Sequence, residues 1–380
     1  MFEIPAIALL SIFIKPIYLV PVTLALSLLA RDRVLKEVSL LSSLLLAFTY
    51  LGLSEPIVSA SMFVLLGHRF RKNTIWNVFV YTILGFAFFI LYDRFHHLNC
   101  NLEYLLFLSL MGGLTASLVE CVNGRELVIL LAIATVYTVF HIYAINVSLI
   151  QLATAFAISF ILSMIATKAG VADDSGLLSA TLIGTLTIVF SDIRFFIILL
   201  LFYAIGSGVT KFKYAVKLER GIAEQAGGAR GYENVFSNSL PALFFVMNYG
   251  AFKYELLKVA FVASVACALG DTMASEVGKT AEKVYLITNL KRVRPGESGG
   301  ISLIGEVSAL AGCFIVSISA LLMGILDFYQ SVIALISGFL GVHVDSLLGA
   351  TLEKKGVLNN AGVNFLATFS AGIFSYLLLR

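Results

Sequence analysis

The chain has 380 residues, of which 59% are apolar and only 13% charged, with a mean hydropathy of +0.96. Soluble domains carry roughly 45–50% apolar and about 25% charged residues, so the composition excludes a cytosolic globular enzyme, a nucleic-acid binder with an exposed basic face, and a disordered chain. The net charge is only +3, so attraction for an anionic partner has to come from where the charges stand, not from their number.

A helix crosses a bilayer with about 20 apolar residues. Long apolar runs without period-two alternation select helices over a closed barrel. In chain order the runs are 4–30, 37–53, 55–67, 74–92, 102–119, 126–146, 148–167, 175–190, 193–209, 239–252, 256–277, 301–326, 328–349 and 360–379. The pieces 55–67 and 239–252 are short enough to be re-entrant or half-helices. The predicted fold class is therefore all-α, a polytopic transmembrane helical bundle of roughly 10–14 spans.

The loops give a separate check. Alternate loops share a side, and one set collects Arg31, Arg33, Lys36, Arg69, Arg71, Lys72, Arg125, Lys168, the basic residues of 207–238 and 278–300, and Lys354 with Lys355. The other set holds only Arg94, Arg194, Lys253 and Lys258. The positive-inside rule makes the first set cytoplasmic and puts both termini outside. The opening MFEIPAIALL lacks a basic n-region and a small-residue cleavage site, so it reads as a retained helix. Residues 1–165 form a hydrophobic N-terminal transmembrane region. Residues 166–380 form a transmembrane catalytic region with Gly/Arg/Lys-rich cytoplasmic loops at 207–238 and 278–300. Cys100, Cys121, Cys267 and Cys313 and the five histidines show no metal-ligand spacing.

Ionisable residues inside spans are costly and mark function by default. Asp271 and Glu276 lie in ALGDTMASEVGKT, Glu306 in GGISLIGEVSALAG, and Asp345 in GFLGVHVDSLLGATLEKK. All four fall near the cytoplasmic ends of their helices. Asp271, Ser275 and Gly278 stand at i, i+4 and i+7, on one helix face, and Gly338, Gly341 and Asp345 repeat the pattern. Small residues beside an acid permit close helix approach. Plain helix packing explains the glycines as well, and the two explanations are compatible. A hard cation such as Mg²⁺ takes one or two carboxylates plus substrate phosphates. The loop GSGVTKFKYAVKLERGIAEQAGGARGYENVFSNS and the stretch KRVRPGESGGIS interleave basic residues with glycines, which let backbone N–H groups approach an anion. Neither is a P-loop or a GxGxxG turn after a strand, which disfavours both a P-loop kinase and a Rossmann enzyme.

GIAEQAGGARGYENVFSNSLPAL, GDTMASEVGK, LITNLKRVRPGESGGISLIG and GFLGVHVDSLLGATLEKKGVLNNAGVNFL together resemble an integral membrane family. It includes the plant phytyl-phosphate kinase of tocopherol synthesis and an animal many-spanning relative. The resemblance covers roughly 165–380. A looser similarity extends to phytol and dolichol kinases and to membrane CDP-lipid synthases, which use CTP and a divalent metal held by aspartates. Val344-Asp345-Ser346 departs from that wider pattern by lacking the Gly before the Asp.

The resemblance implies a phosphotransferase, a CTP-dependent prenyl monophosphate kinase making a prenyl diphosphate with Mg²⁺ at the cytoplasmic membrane interface. On that basis Asp271, Glu276 and Asp345 are the expected metal ligands. Lys291, Arg292 and Arg294 are expected to neutralise phosphates. Gly227, Gly228 and Arg230 are expected to cradle the nucleotide, with Asn234, Asn238, Lys279, Gly299, Gly300 and Ser302 completing its site. The expected partners are a prenyl-phosphate lipid, the nucleotide and the cell membrane, with no nucleic acid and a homodimer left open. Two rivals remain at this stage: a cytidylyltransferase that attacks the α-phosphate of CTP, and a secondary transporter with intramembrane acids.

Overall fold

The computed structural model describes residues 2–223 and 230–380. It is nearly all helical and divides into two compact units, Met1–Thr154 and Ala155–Arg380. Among the described residues, ten helices are long and apolar enough to cross a membrane.

The first unit contains α1 (Glu3–Leu10), α2 (Val20–Leu29), α3 (Arg33–Phe48), α4 (Glu55–Val64), α5 (Thr74–His96), α6 (Leu102–Val122) and α7 (Glu126–Tyr143). The run 4–30, expected as one span, is broken between α1 and α2. Pro16 lacks an N–H and disfavours helical backbone at the residue before it, and Lys15 is accordingly at φ −51°, ψ 131°. Helix α4 has ten residues and runs into a 3₁₀ turn at Leu65–Phe70.

The unit boundary falls within α8 (Leu149–Lys168). The second unit continues with α9 (Asp174–Phe190), α10 (Ile193–Thr210), α11 (Tyr214–Glu219), α12 (Tyr232–Phe252), α13 (Leu256–Gly278), α14 (Leu303–Leu322), α15 (Phe328–Leu348) and α16 (Asn360–Leu378). Helix α15 ends in a π-helical turn, Gly349–Glu353. The predicted loop 207–238 is thus partly helical. It holds the end of α10, all of α11 and the first two turns of α12, whose polar residues hid them from a hydropathy reading. The other predicted loop, 278–300, folds into a small antiparallel sheet with β3, in the order β2-β1-β3: β1 (Val284–Leu286), β2 (Arg292–Val293) and β3 (Gly300–Ile301).

Helix α13 is the hub of the second unit and packs against α10, α12, α14, α15 and α16. Small residues set the spacing, because in lipid close van der Waals contact replaces hydrophobic burial as the drive for helix association. A Cβ on Gly312 of α14 would lie 2.9 Å from Gly270 of α13, and one on Gly338 of α15 would lie 2.7 Å from Ala266. These contacts press α13, α14 and α15 together one residue before Asp271 and two turns before Asp345. Several loop acids are consumed by helix capping, which satisfies otherwise orphaned N–H groups. Asp173 accepts from Gly176 N at 2.8 Å, Asp192 from Arg194 N at 2.8 Å and Asp327 from Gln330 N at 2.8 Å.

Candidate active site

A polar cavity of about 260 Å³ opens where five helices of the second unit end or begin. Three helices start beside it: α12 at Tyr232, α14 at Leu303 and α16 at Asn360. Each helix N-terminus presents unpaired N–H groups and partial positive charge. Two helices finish beside it, α13 at Gly278 and α15 with its π turn, and they bring the carboxylates.

Asp271 and Asp345 face each other across the α13–α15 contact, with their carboxyls close enough for a mutual hydrogen bond. Neither forms an ion pair with a base among the described residues. Two carboxyl groups in such contact require a shared proton or a cation between them. Asn364, with its amide oriented to suit its neighbours, donates to Asp345 Oδ2 at 3.2 Å and to Asn360 O at 3.2 Å. Glu353 from the π turn, Glu297 from the turn before β3 and Glu306 from α14 add carboxylates to the lining, and Glu306 pairs with His343 Nε2 at 3.3 Å.

The roof is the turn between β2 and β3. Gly296 at φ +86° and Gly299 at φ +76° take left-handed backbone that favours glycine. A Cβ on Gly349 would sit only 3.1 Å from Gly299 N, so the turn lies directly on the end of α15. An ion pair of Lys354 Nζ with Glu297 Oε1 at 2.6 Å ties it there. That ammonium holds the Glu297 carboxyl below its usual range.

The residues expected from sequence separate into three groups. Arg230, Asn234, Asn238, Asp271 and Lys279 line the cavity, together with Gly299, Gly300, Ser302 and Asp345. Ser302 also caps α14, accepting from Gly305 N at 3.2 Å. Asn234 Oδ1 is buried and accepts no hydrogen bond among the described residues.

Glu276 belongs to a second group, the residues placed outside the cavity. It lies outside the cavity lining, 1% exposed, and accepts from the buried Lys217 ammonium and from Lys279 Nζ, the latter at 2.5 Å. Lys217 also donates to Thr210 O at 2.5 Å. Glu276 is therefore a structural anion between two lysines and not a metal ligand. Among the described residues no three His, Cys, Asp or Glu side chains converge as a ligand set. Lys291, Arg292 and Arg294 are also outside the cavity and exposed. The small sheet turns them outward, and Arg292 donates to Glu282 O at 3.3 Å. Gly227 and Gly228, the third group, lie outside the described residues.

Glu353, Asn360 and Asn364 were not expected from sequence, yet signals for them exist. Asp345, Gly349 and Glu353 run at i, i+4 and i+8. Asn360 and Asn364 are an i, i+4 pair on the first turns of α16.

The model of the integral membrane protein DUF92 family matches residues 157–372, and those residues contain the whole cavity. The chain belongs to this family. Relatives include an uncharacterized membrane protein of Methanocaldococcus jannaschii, 31% identical over 61% of this chain and 95% of the relative. Protein VTE6, chloroplastic, of Arabidopsis thaliana is 31% identical over 50% of this chain and 60% of the relative. Protein PGR of the same plant is 26% identical over 46% of this chain and 77% of the relative. No solved structure matches. The DUF92 match leaves out all of the first unit, so the family relation rests on the unit that carries the cavity.

Proposed function

We propose that the chain is a Mg²⁺-dependent, CTP-using kinase of prenyl monophosphates, working at the cytoplasmic face of the membrane. The observation that carries this is the Asp271–Asp345 pair in a cavity ringed by three helix N-termini. CTP and the prenyl acceptor come from the family resemblance; the charge layout supports a phosphate-and-metal site of some kind.

The donor set fits the metal. Two facing carboxylates with amides beside them are hard oxygen ligands, and Mg²⁺ in phosphate sites commonly takes one or two carboxylates and leaves its remaining positions to water and phosphate. Asp271 and Asp345 would hold it, and bound there it would neutralise charge on the transferring phosphoryl group. The chain's own groups do the positioning. The N-termini of α12, α14 and α16 and the N–H groups of the glycine turn attract phosphate oxygens. Arg230 offers a planar fork to a phosphate. Asn234 Oδ1 is an acceptor in need of a donor. The Glu297–Lys354 pair keeps the roof down and limits water.

Phosphoryl transfer needs alignment and charge stabilisation more than covalent help. The bond from the terminal phosphorus of CTP to its bridging oxygen breaks, and a bond from that phosphorus to an oxygen of the prenyl phosphate forms, releasing CDP. A phosphate monoester is largely ionised near neutral pH, so the acceptor requires no base. The position of the acids at helix ends, away from the middle of the spans, favours this chemistry over transport. The test is incubation of the purified protein in bilayers with CTP labelled in either the α or the γ phosphorus. Label on prenyl diphosphate from γ-labelled CTP, with CDP formed, is expected. Label on the lipid from α-labelled CTP with pyrophosphate released, or no labelled lipid, would overturn the kinase.

A further inference from the structure

Beside the polar cavity lies a second polar recess of the same unit, about 460 Å³, walled by the first turns of α9, α12 and α16. Asn234 and Asn360 line both spaces, which are neighbours across these side chains. The step between them is short. Asn364 stands on Asp345, and Asn360 lies one turn earlier on α16, about 6 Å away at roughly 1.5 Å per residue. The cavity at the acid pair holds about 260 Å³, less than the roughly 300–1,000 Å³ of a complete small-molecule site. A nucleotide whose phosphates meet Asp271 and Asp345 beside the phosphate of a second substrate has to place its sugar and base elsewhere.

The recess differs from the cavity in its cations. In the cavity Arg230 and Lys279 stand among the acids. In the recess, among the described residues, the lining holds the carboxyls of Asp173 and Glu233 and no lysine or arginine. Each helix end on this side already has an N–H taken by a side-chain oxygen. Asp173 Oδ1 accepts from Gly176 N at 2.8 Å, Ser175 Oγ from Tyr232 N at 3.0 Å, and Asn359 Oδ1 from Gly362 N at 2.9 Å. Glu233 takes no part in this capping. It is exposed on the first turn of α12, and the Tyr232 hydroxyl donates to its Oε1 at 3.2 Å. An aromatic face and a carboxylate acceptor are thereby held side by side.

We infer that this recess holds the ribose and base of the nucleotide. Glu233 accepts from the ribose hydroxyls, Tyr232 offers its ring to the base, and Asn234 and Asn360 mark where the phosphates turn toward Asp271 and Asp345. The inference rests on the kinase reading and adds where the nucleoside lies and which residues read it. Charge selects this occupant. A lipid phosphate or a free phosphate would stand against two carboxylates with no cation in the described lining to offset them. A ribose is neutral and brings its 2′- and 3′-hydroxyls as donors, the match by which a carboxylate recognises ribose in dinucleotide sites. Aromatic rings stack on any base, so Tyr232 supplies affinity and Glu233 supplies the preference for ribose.

The test uses the full-length protein in nanodiscs with Mg²⁺ and three probes: CTP, 2′,3′-dideoxy-CTP, and inorganic tripolyphosphate, which carries phosphates without a nucleoside. Glu233→Ala is expected to weaken CTP binding about tenfold, as loss of one hydrogen bond to a charged group does. It should leave dideoxy-CTP and tripolyphosphate within twofold, because removing the carboxylate or the hydroxyls costs once and not twice. Tyr232→Ala should weaken both nucleotides severalfold and leave tripolyphosphate within twofold. CTP affinity unchanged in either variant, or equal loss for all three probes, overturns the nucleoside assignment; γ-phosphoryl transfer from CTP in the same preparation then shows whether the kinase reading survives. Absence of both CTP binding and transfer in the unaltered protein overturns the two together. If the variants fail to fold, photolabelling of the unaltered protein with 5-azido-CTP decides. Label within 232–237 and 359–361 that excess CTP removes is expected, and label confined to other segments overturns the assignment.

Discussion

The two units handle scarce charge in opposite ways. In the first, acids are surrounded by bases and donors. Glu120 accepts from His68 Nδ1 at 2.8 Å, Arg71 Nη1 at 2.9 Å and Tyr81 Oη at 2.8 Å. Glu37 meets Arg33 at 2.8 Å and Arg125 at 3.3 Å. In the second, Glu276 is treated the same way by two lysines, but a helical turn earlier Asp271 is set against another acid. A satisfied buried acid ties elements together, and an acid facing an acid leaves a demand for positive charge that a ligand can meet. On the proposed function, the difference separates structural carboxylates from metal-holding ones better than burial does, since Glu276 is the most buried of the acids expected at the site.

Six substitutions sharpen that comparison, in descending order of effect. Asp271→Asn or Asp345→Asn should lower kcat/KM for phosphoryl transfer on the order of 10³-fold, roughly 4 kcal/mol of transition-state stabilisation, with an unchanged melting temperature. Glu276→Gln should act on stability instead, because it leaves Lys217 charged, buried and without its anion, at a cost of about 3–5 kcal/mol; a thermal melt in detergent would show it. Glu120→Gln should cost about 2 kcal/mol by the same assay and leave the KM for CTP within twofold. Arg230→Ala should raise the KM for CTP or acceptor about tenfold, near 1.4 kcal/mol, whereas Arg292→Ala, on the outward face of the sheet, should leave both within twofold.

The roof gives a pH test. Lys354 depresses the Glu297 carboxyl below its ordinary value of 4.5, so the folded-state pKa lies under the unfolded one. The contribution of this pair is complete above pH 4.5 and is lost as pH falls through the lower folded value. Lys354→Met should therefore loosen the turn at neutral pH, seen as faster amide exchange at 296–301, and should make no further difference once Glu297 is protonated.

The spans were legible because a helix in lipid has to be long and apolar, and α5, α6, α13 and α16 are both. Helix α12 was read as two thirds of its length because its first turns carry Asn234 and Asn238, which face the cavity. The break at Lys15–Pro16 had a sequence signal, the proline, that a hydropathy window averages away. The acid pair was legible from the spacing of Asp271 and Asp345 with glycines. The pairing of Glu276 with Lys217 was not, because 59 residues separate the partners. The basic run 291–294 misled because strands of two or three residues leave no periodic trace, and only the sheet decides which way those side chains point.

The most direct test of the central claim is titration calorimetry of CTP into the detergent-solubilised protein with and without Mg²⁺, for the native chain and for Asp271→Asn. The account predicts saturable binding that requires Mg²⁺ in the native chain and is lost in the variant. Mg²⁺-dependent binding of equal affinity in both would contradict it, as would no CTP binding by the native chain.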